Sequence, residues 1–169
     1  DAAATTPPLT CVIDEVARVD KYFWANPSSI HHLGIKAAEI VERSRFSIAS
    51  HFGVDPDQVF FASSATDSIK VVLSAVAYSQ KPGRIIISEV EHPAVISAAY
   101  SLMNYGWDVK TWPVDSHGCI KMELLEEMLS PPTKIVSIIW GQSEIGTIQP
   151  IKLIGNECKK RNIIFHTDA

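Results

Sequence analysis

Hydrophobic positions along the chain recur with two periods. Short, nearly continuous apolar runs, Arg84–Ser88 (RIIIS), Lys134–Trp140 (KIVSIIW) and Ile163–Asp168, predict strands, the first two of the kind buried on both faces. Trp107–Pro113 reads as a further strand and Val59–Ala62 (VFFA) as a short buried one. Other segments place apolar residues three and four apart, as one face of a helix requires: Val12, Ile13, Val16, Val19 and Phe23; Leu33, Ala37, Ile40, Val41 and Ile48; Ile69, Val72, Leu73 and Val76. Breaks fall at Asn26-Pro27, with Ser28 or Ser29 able to cap the next helix, at Gly53, at Lys81-Pro82-Gly83 and at Pro131-Pro132. Helices are expected from Pro93 to about Asn104, over Met122–Leu129 and over Pro150–Arg161, with a turn at Asp115–Gly118. This alternation predicts an α/β fold with a mostly parallel sheet covered by helices on both faces.

In such sheets ligands gather beyond the carboxyl ends of the strands. That rule brings together Ser63–Asp67, Glu91-His92, the loop Gly141–Glu144 and Asp168. Val59–Ser68 (VFFASSATDS) reads as strand, small polar turn and helix start, where free backbone N–H groups and the helix dipole favour an anion such as phosphate. The same Ser and Thr residues serve equally as plain helix caps. Neither the Walker spacing nor G-x-G-x-x-G is present. Asp168, ending a core strand, needs a cation or donor to offset its burial, or else forms a structural ion pair. His31 and His32, at the start of the second helix, read as capping or surface residues.

Composition narrows the class. At 46% hydrophobic and 20% charged, the 169 residues suit one globular domain or a large part of one. A formal charge of −4, with no basic run longer than Lys159-Lys160-Arg161, argues against nucleic acid as a partner. Cys11, Cys119 and Cys158 are widely spaced and odd in number, which disfavours a disulfide framework or zinc site and fits a reducing, cytoplasmic setting. No apolar run approaches the ~20 residues of a membrane span, and no signal peptide is expected. A chain beginning at Asp1 and stopping on an apparent core strand is read as a fragment.

Six short motifs in order resemble the class V aminotransferase group of pyridoxal-phosphate enzymes, and among them the cysteine desulfurases. They are Asp1–Pro7 (DAAATTP), Asn26–Ser29 with His31 and Gly34, Ser63–Asp67, Glu91–Val95 (EHPAV), Glu144-Ile145-Gly146 with Gln149, and His166–Ala169 (HTDA). The resemblance implies an aspartate-aminotransferase-like fold whose large domain is incomplete here, with residues 1–12 an N-terminal segment and 13–169 the partial cofactor-binding domain. The implied cofactor is pyridoxal 5'-phosphate. Ala65 and Thr66 match the phosphate-binding pair, His92 the histidine that stacks on the pyridine ring and moves protons, and Asp168 the carboxylate that pairs with the ring nitrogen. Ser143 stands where the family usually has an Asn contacting cofactor or substrate; Ser64 replaces a usual Gly and Lys70 a common Asn. The family's Schiff-base lysine and sulfur-accepting cysteine lie beyond the residue matching Ala169, so the piece alone is expected to be inactive.

The implied reaction takes sulfur from L-cysteine, giving alanine and an enzyme persulfide, in a homodimer that serves a sulfur-acceptor protein and iron–sulfur cluster assembly. The alternatives are a sibling such as a selenocysteine lyase or an aminotransferase-like enzyme, and a non-catalytic scaffold relative. The three departures motivate the scaffold reading. Gly141–Gly146 misses the nucleophile-elbow spacing of serine hydrolases by one residue.

Overall fold

The computed structural model describes residues 5–169, so the first motif, Asp1–Ala4 of it, lies outside the described residues. These fall into two compact units, Thr5–Phe61 and Ala62–Ala169.

In the first unit, α1 (Thr10–Tyr22) and α2 (His32–Phe52) form where the apolar spacing places helices. Neither Ser28 nor Ser29 caps α2. His31 does, its Nδ1 accepting the Gly34 N–H at 3.2 Å. α2 ends at Gly53, whose φ of +65° is left-handed and suits a residue without Cβ. Val59–Ala62 forms no strand and joins no ladder among the described residues, and Phe60 is 84% exposed. The Arg45 guanidinium stacks over the Phe61 ring and donates to the Val59 carbonyl. β-branched and aromatic residues give this stretch strand propensity, but a strand needs a partner.

The second unit is a four-stranded parallel sheet: β1 (Arg84–Ser88), β2 (Asp108–Trp112), β3 (Thr133–Ser137) and β4 (Ile164–His166), in the order β2-β1-β3-β4. Side chains alternate across it. Ile85, Ile87 and Ile135 pack with Ile69, Leu73 and Ala77 of α3 (Ala65–Tyr78) and with Val95, Ala98 and Ala99 of α4 (Pro93–Ser101). Ile86, Trp112 and Val136 pack on the other face with Met128 of α5 (Leu125–Met128) and Ile154 and Cys158 of α6 (Ile151–Lys160). The expected layers are therefore present, helices covering both faces of an all-parallel sheet. α4 stops at Ser101 and continues as a 3-10 turn to Tyr105, closed by Gly106 at φ +84°.

Strand order supplies what the pattern of residues does not. From β1 the chain steps outward to β2, then returns across β1 to build β3 and β4 on its other side. The direction of winding thus reverses between β1 and β3, and the connections leaving those two strands diverge. A crevice opens at their carboxyl ends, the usual ligand position in an open α/β sheet.

Candidate functional site

Residues just past β1, β3 and β4 line that crevice. A cavity of about 620 Å³ is bounded by His92, Ile139, Trp140, Gly141, Ser143, Ile148, Asp168 and Ala169. His92, Ser143 and Asp168 are thereby brought together. Ala65 and Thr66 do not line this cavity. They open α3, whose far end meets the far end of the α4 segment through an edge-to-face pair, Tyr78 and Tyr105, with ring centroids 5.2 Å apart. α3 and α4 therefore run in the same direction, and both N-termini point to the carboxyl edge of the sheet.

Each polar group is placed by its own local chemistry. His92 is the N-cap of α4, with Pro93 at the first helical position; its Nδ1 accepts the Ala94 N–H at 3.1 Å. That bond puts the proton of the neutral imidazole on Nε2. Asp168 is held by its backbone, its carbonyl accepting the Trp140 N–H at 2.9 Å as the β3–β4 ladder runs on past the strands. Its side chain is half-buried and forms no ion pair with any described residue. Two residues earlier, the His166 ring bonds the Ser137 hydroxyl at 2.8 Å, and burial pushes its pKa below the usual histidine range while Asp168 opposes the shift.

At the start of α3, Ser64 caps through its hydroxyl, which accepts the Asp67 N–H at 3.1 Å. Hydrogen bonds from Ser63, then Ser64, lower the Asp67 pKa, so the turn already holds one carboxylate. The N–H groups of Ala65 and Thr66 precede the first intrahelical acceptor and remain available to an anion.

Two buried polar residues that sit within the sequence motifs without a role of their own shape the crevice. Gln149 is 2% exposed. Its amide donates to the Gly118 carbonyl at 2.6 Å and accepts the Ile120 N–H at 3.0 Å, and its own N–H bonds the Trp140 carbonyl at 2.8 Å. It thereby braces the 141–148 loop, which carries Ser143, against the turn at 115–119. Replacing Gln149 with Leu keeps the volume but orphans two buried backbone groups, a cost of about 2–4 kcal/mol. Urea unfolding of the full-length protein should show that loss, with amide exchange at Ile120 accelerating.

The second is Glu91, buried and next to His92 in the chain. Its Oε1 accepts from the Ser88 hydroxyl and from the Ile139 N–H at 2.7 Å. Burial first, with a contribution from Asp168, pushes its pKa up from 4.5 to about 7. Between those values the folded chain keeps a proton that the unfolded chain releases. Stability contributed by this group is therefore fully present below pH 4.5 and is lost as pH rises through about 7, by about 3 kcal/mol in all. Denaturant midpoints measured across that window in the full-length protein check the sign. For both residues the signal in the sequence is a polar side chain directly bordering an apolar strand or turn.

A doubly wound parallel sheet whose switch-point crevice holds a capping histidine and an unpaired carboxylate has the form of the open α/β folds that take their ligands at the strand ends. The aminotransferase class-V family model matches residues 1–169, and the chain belongs to that family. The mitochondrial cysteine desulfurase of Eremothecium gossypii is 36% identical over 172 residues, a match covering all of this chain and 35% of that protein. A solved NifS-like protein superposes with a TM-score of 0.94 at 37% identity, over all of this chain and 47% of its own. The structure of SspA in complex with cysteine gives 0.92 at 32% identity, over all of this chain and 49% of its own. The chain thus spans roughly a third to a half of the proteins it matches.

Proposed function

We propose that this chain carries part of the cofactor site of a pyridoxal 5'-phosphate-dependent cysteine desulfurase, which takes sulfur from L-cysteine and leaves alanine and an enzyme persulfide. The observation that carries the reading is Asp168: a half-buried carboxylate with no cationic partner among the described residues, on the same cavity as His92. An unpaired carboxylate at a core-strand end fits a protonated pyridine nitrogen better than any neighbour the described chain offers it. When bound, the cofactor withdraws electrons from the substrate's α-carbon through its protonated ring.

The chain's own groups have separable tasks in this reading. Asp168 holds the proton on the ring nitrogen. His92 offers a proton from Nε2; to accept one there it must first exchange tautomers, at the cost of its Ala94 cap bond. Trp140, Ile139 and Ile148 give the cavity an apolar wall that limits water. Ala65 and Thr66 receive the phosphate at the N-terminus of α3. Cysteine as substrate is supported by the cysteine bound to SspA and by the desulfurase relative. A homodimer, a sulfur-acceptor protein and a cytoplasmic setting complete the proposal. The free thiols of Cys11, Cys119 and Cys158 favour a reducing compartment.

Ser143 favours one second reading. It stands exposed on the cavity wall and reaches less far than Asn, which suits a sibling β-eliminating enzyme with a different substrate. Full-length protein supplied with pyridoxal phosphate should convert L-cysteine to alanine with persulfide formed in step. Turnover of another amino acid and none of cysteine would select the sibling. Replacing Thr66 with Ala should act mainly on affinity, raising the Kd for the cofactor about 10-fold, ~1.4 kcal/mol, with much of the rate restored by excess cofactor.

A further inference from the structure

Glu91 is the buried carboxyl group that the proposed chemistry leaves unused. It is 6% exposed, and its Oε2 has no hydrogen-bond partner among the described residues. It lines a cavity of about 360 Å³ with Glu89, His92, Gln142, Ser143 and Glu144, and this cavity shares His92, Ile139 and Ser143 with the larger crevice. Through Ser88 and the Ile139 N–H, its other oxygen ties the turn after β1 to the chain leaving β3. Those are the two strands between which the crevice opens. His92 is the next residue.

We propose that Glu91 is a positioning residue of the His92–Asp168 site that works as a neutral carboxylic acid, bridging the exits of β1 and β3 and adding no negative charge beside Asp168. The titratable groups facing it are Glu89 and His92 from its own turn, Glu144 from the 141–148 loop, and Asp168 from the exit of β4. No lysine or arginine lines either cavity among the described residues. A buried carboxylate with an orphan oxygen beside a second carboxylate, and with no cation, is costly; protonation removes the cost of the buried charge. The upward shift of its pKa to about 7 agrees. Ionisation of Glu91 then adds a negative charge next to Asp168 and His92 and disturbs the setting of both.

The inference rests on the proposed function only for its kinetic consequence, so its test begins without cofactor. In cofactor-free full-length protein, the amide NMR resonance of Ile139, whose N–H donates to the Glu91 carboxyl, should show an inflection near pH 7 that Glu91→Gln removes. Infrared difference spectra should show a carboxylic-acid band just below that pH in the wild type that Glu91→Gln lacks. With cofactor and cysteine, kcat/KM of Glu91→Gln relative to wild type should rise about 10-fold as pH moves from about 6 to about 8, since about one wild-type molecule in ten keeps the proton at the upper end. A purely structural carboxylate would leave that ratio flat. No infrared band at Glu91, or an inflection that survives Glu91→Gln, would overturn the proposal. A full-length protein that fails to take up pyridoxal phosphate but keeps the band and the inflection would overturn the functional reading instead.

Discussion

Replacing Asp168 with Asn in the full-length protein is expected to slow turnover of cysteine at least ~100-fold at saturating cofactor, ~2.7 kcal/mol of barrier. The substitution keeps the shape of the side chain and the backbone bond from the Trp140 N–H to the residue 168 carbonyl. It removes only the charge that, in the proposed site, would keep a ring nitrogen protonated. An amide can instead donate to an unprotonated nitrogen, so cofactor binding should survive while the rate falls. This separates Asp168 from Thr66, whose substitution should be relieved by excess cofactor. Loss of rate with binding retained is the signature of an electronic role. Near-full turnover would return Asp168 to a structural carboxylate.

The largest effect on stability is expected at Trp112. Its indole is 0% exposed, at the centre of the face that packs α5 and α6 on the sheet, and its Nε1 donates to the Lys121 carbonyl at 3.0 Å. Trp112→Ala should destabilise the full-length protein by about 3–5 kcal/mol, the range for removing a large buried aromatic. Trp112→Phe retains most of the packing but leaves the Lys121 carbonyl without its donor, and should cost about 1–3 kcal/mol. Denaturant unfolding measures both. Equal losses for the two variants would mean that the hydrogen bond, not the packing, holds this face.

The sheet is legible in the sequence because its strands are buried on two faces and so are almost wholly apolar; Ile85, Ile86 and Ile87 alternate between the two cores without a polar residue. Val59–Ala62 carries the same composition and is not a strand. Composition reports propensity, and pairing is decided by neighbours that no local pattern contains. α1 forms as its spacing predicts, yet Val12, Ile13 and Val16 on its apolar face are exposed, since periodicity fixes a face and not what covers it. In the candidate site, His92, Ser143 and Asp168 meet because all three follow carboxyl ends of strands, which the alternation of elements already implies. The order β2-β1-β3-β4 is not implied, and it is what opens the crevice beside β1 and β3. Glu91 and Gln149 sit within quoted motifs, but their weight comes from burial and from bonds to residues 48 and 29 to 31 positions away in the chain.

Whether this crevice holds pyridoxal phosphate with its ring nitrogen on Asp168 is decided by a crystal structure of the full-length protein with the cofactor bound. The expected complex has an Asp168 carboxylate oxygen about 2.7–2.9 Å from the ring nitrogen, the spacing of a charge-assisted bond, with His92 against the ring and the phosphate at the α3 N-terminus. A ring nitrogen facing solvent or another residue, or a cofactor bound elsewhere on the molecule, would contradict it.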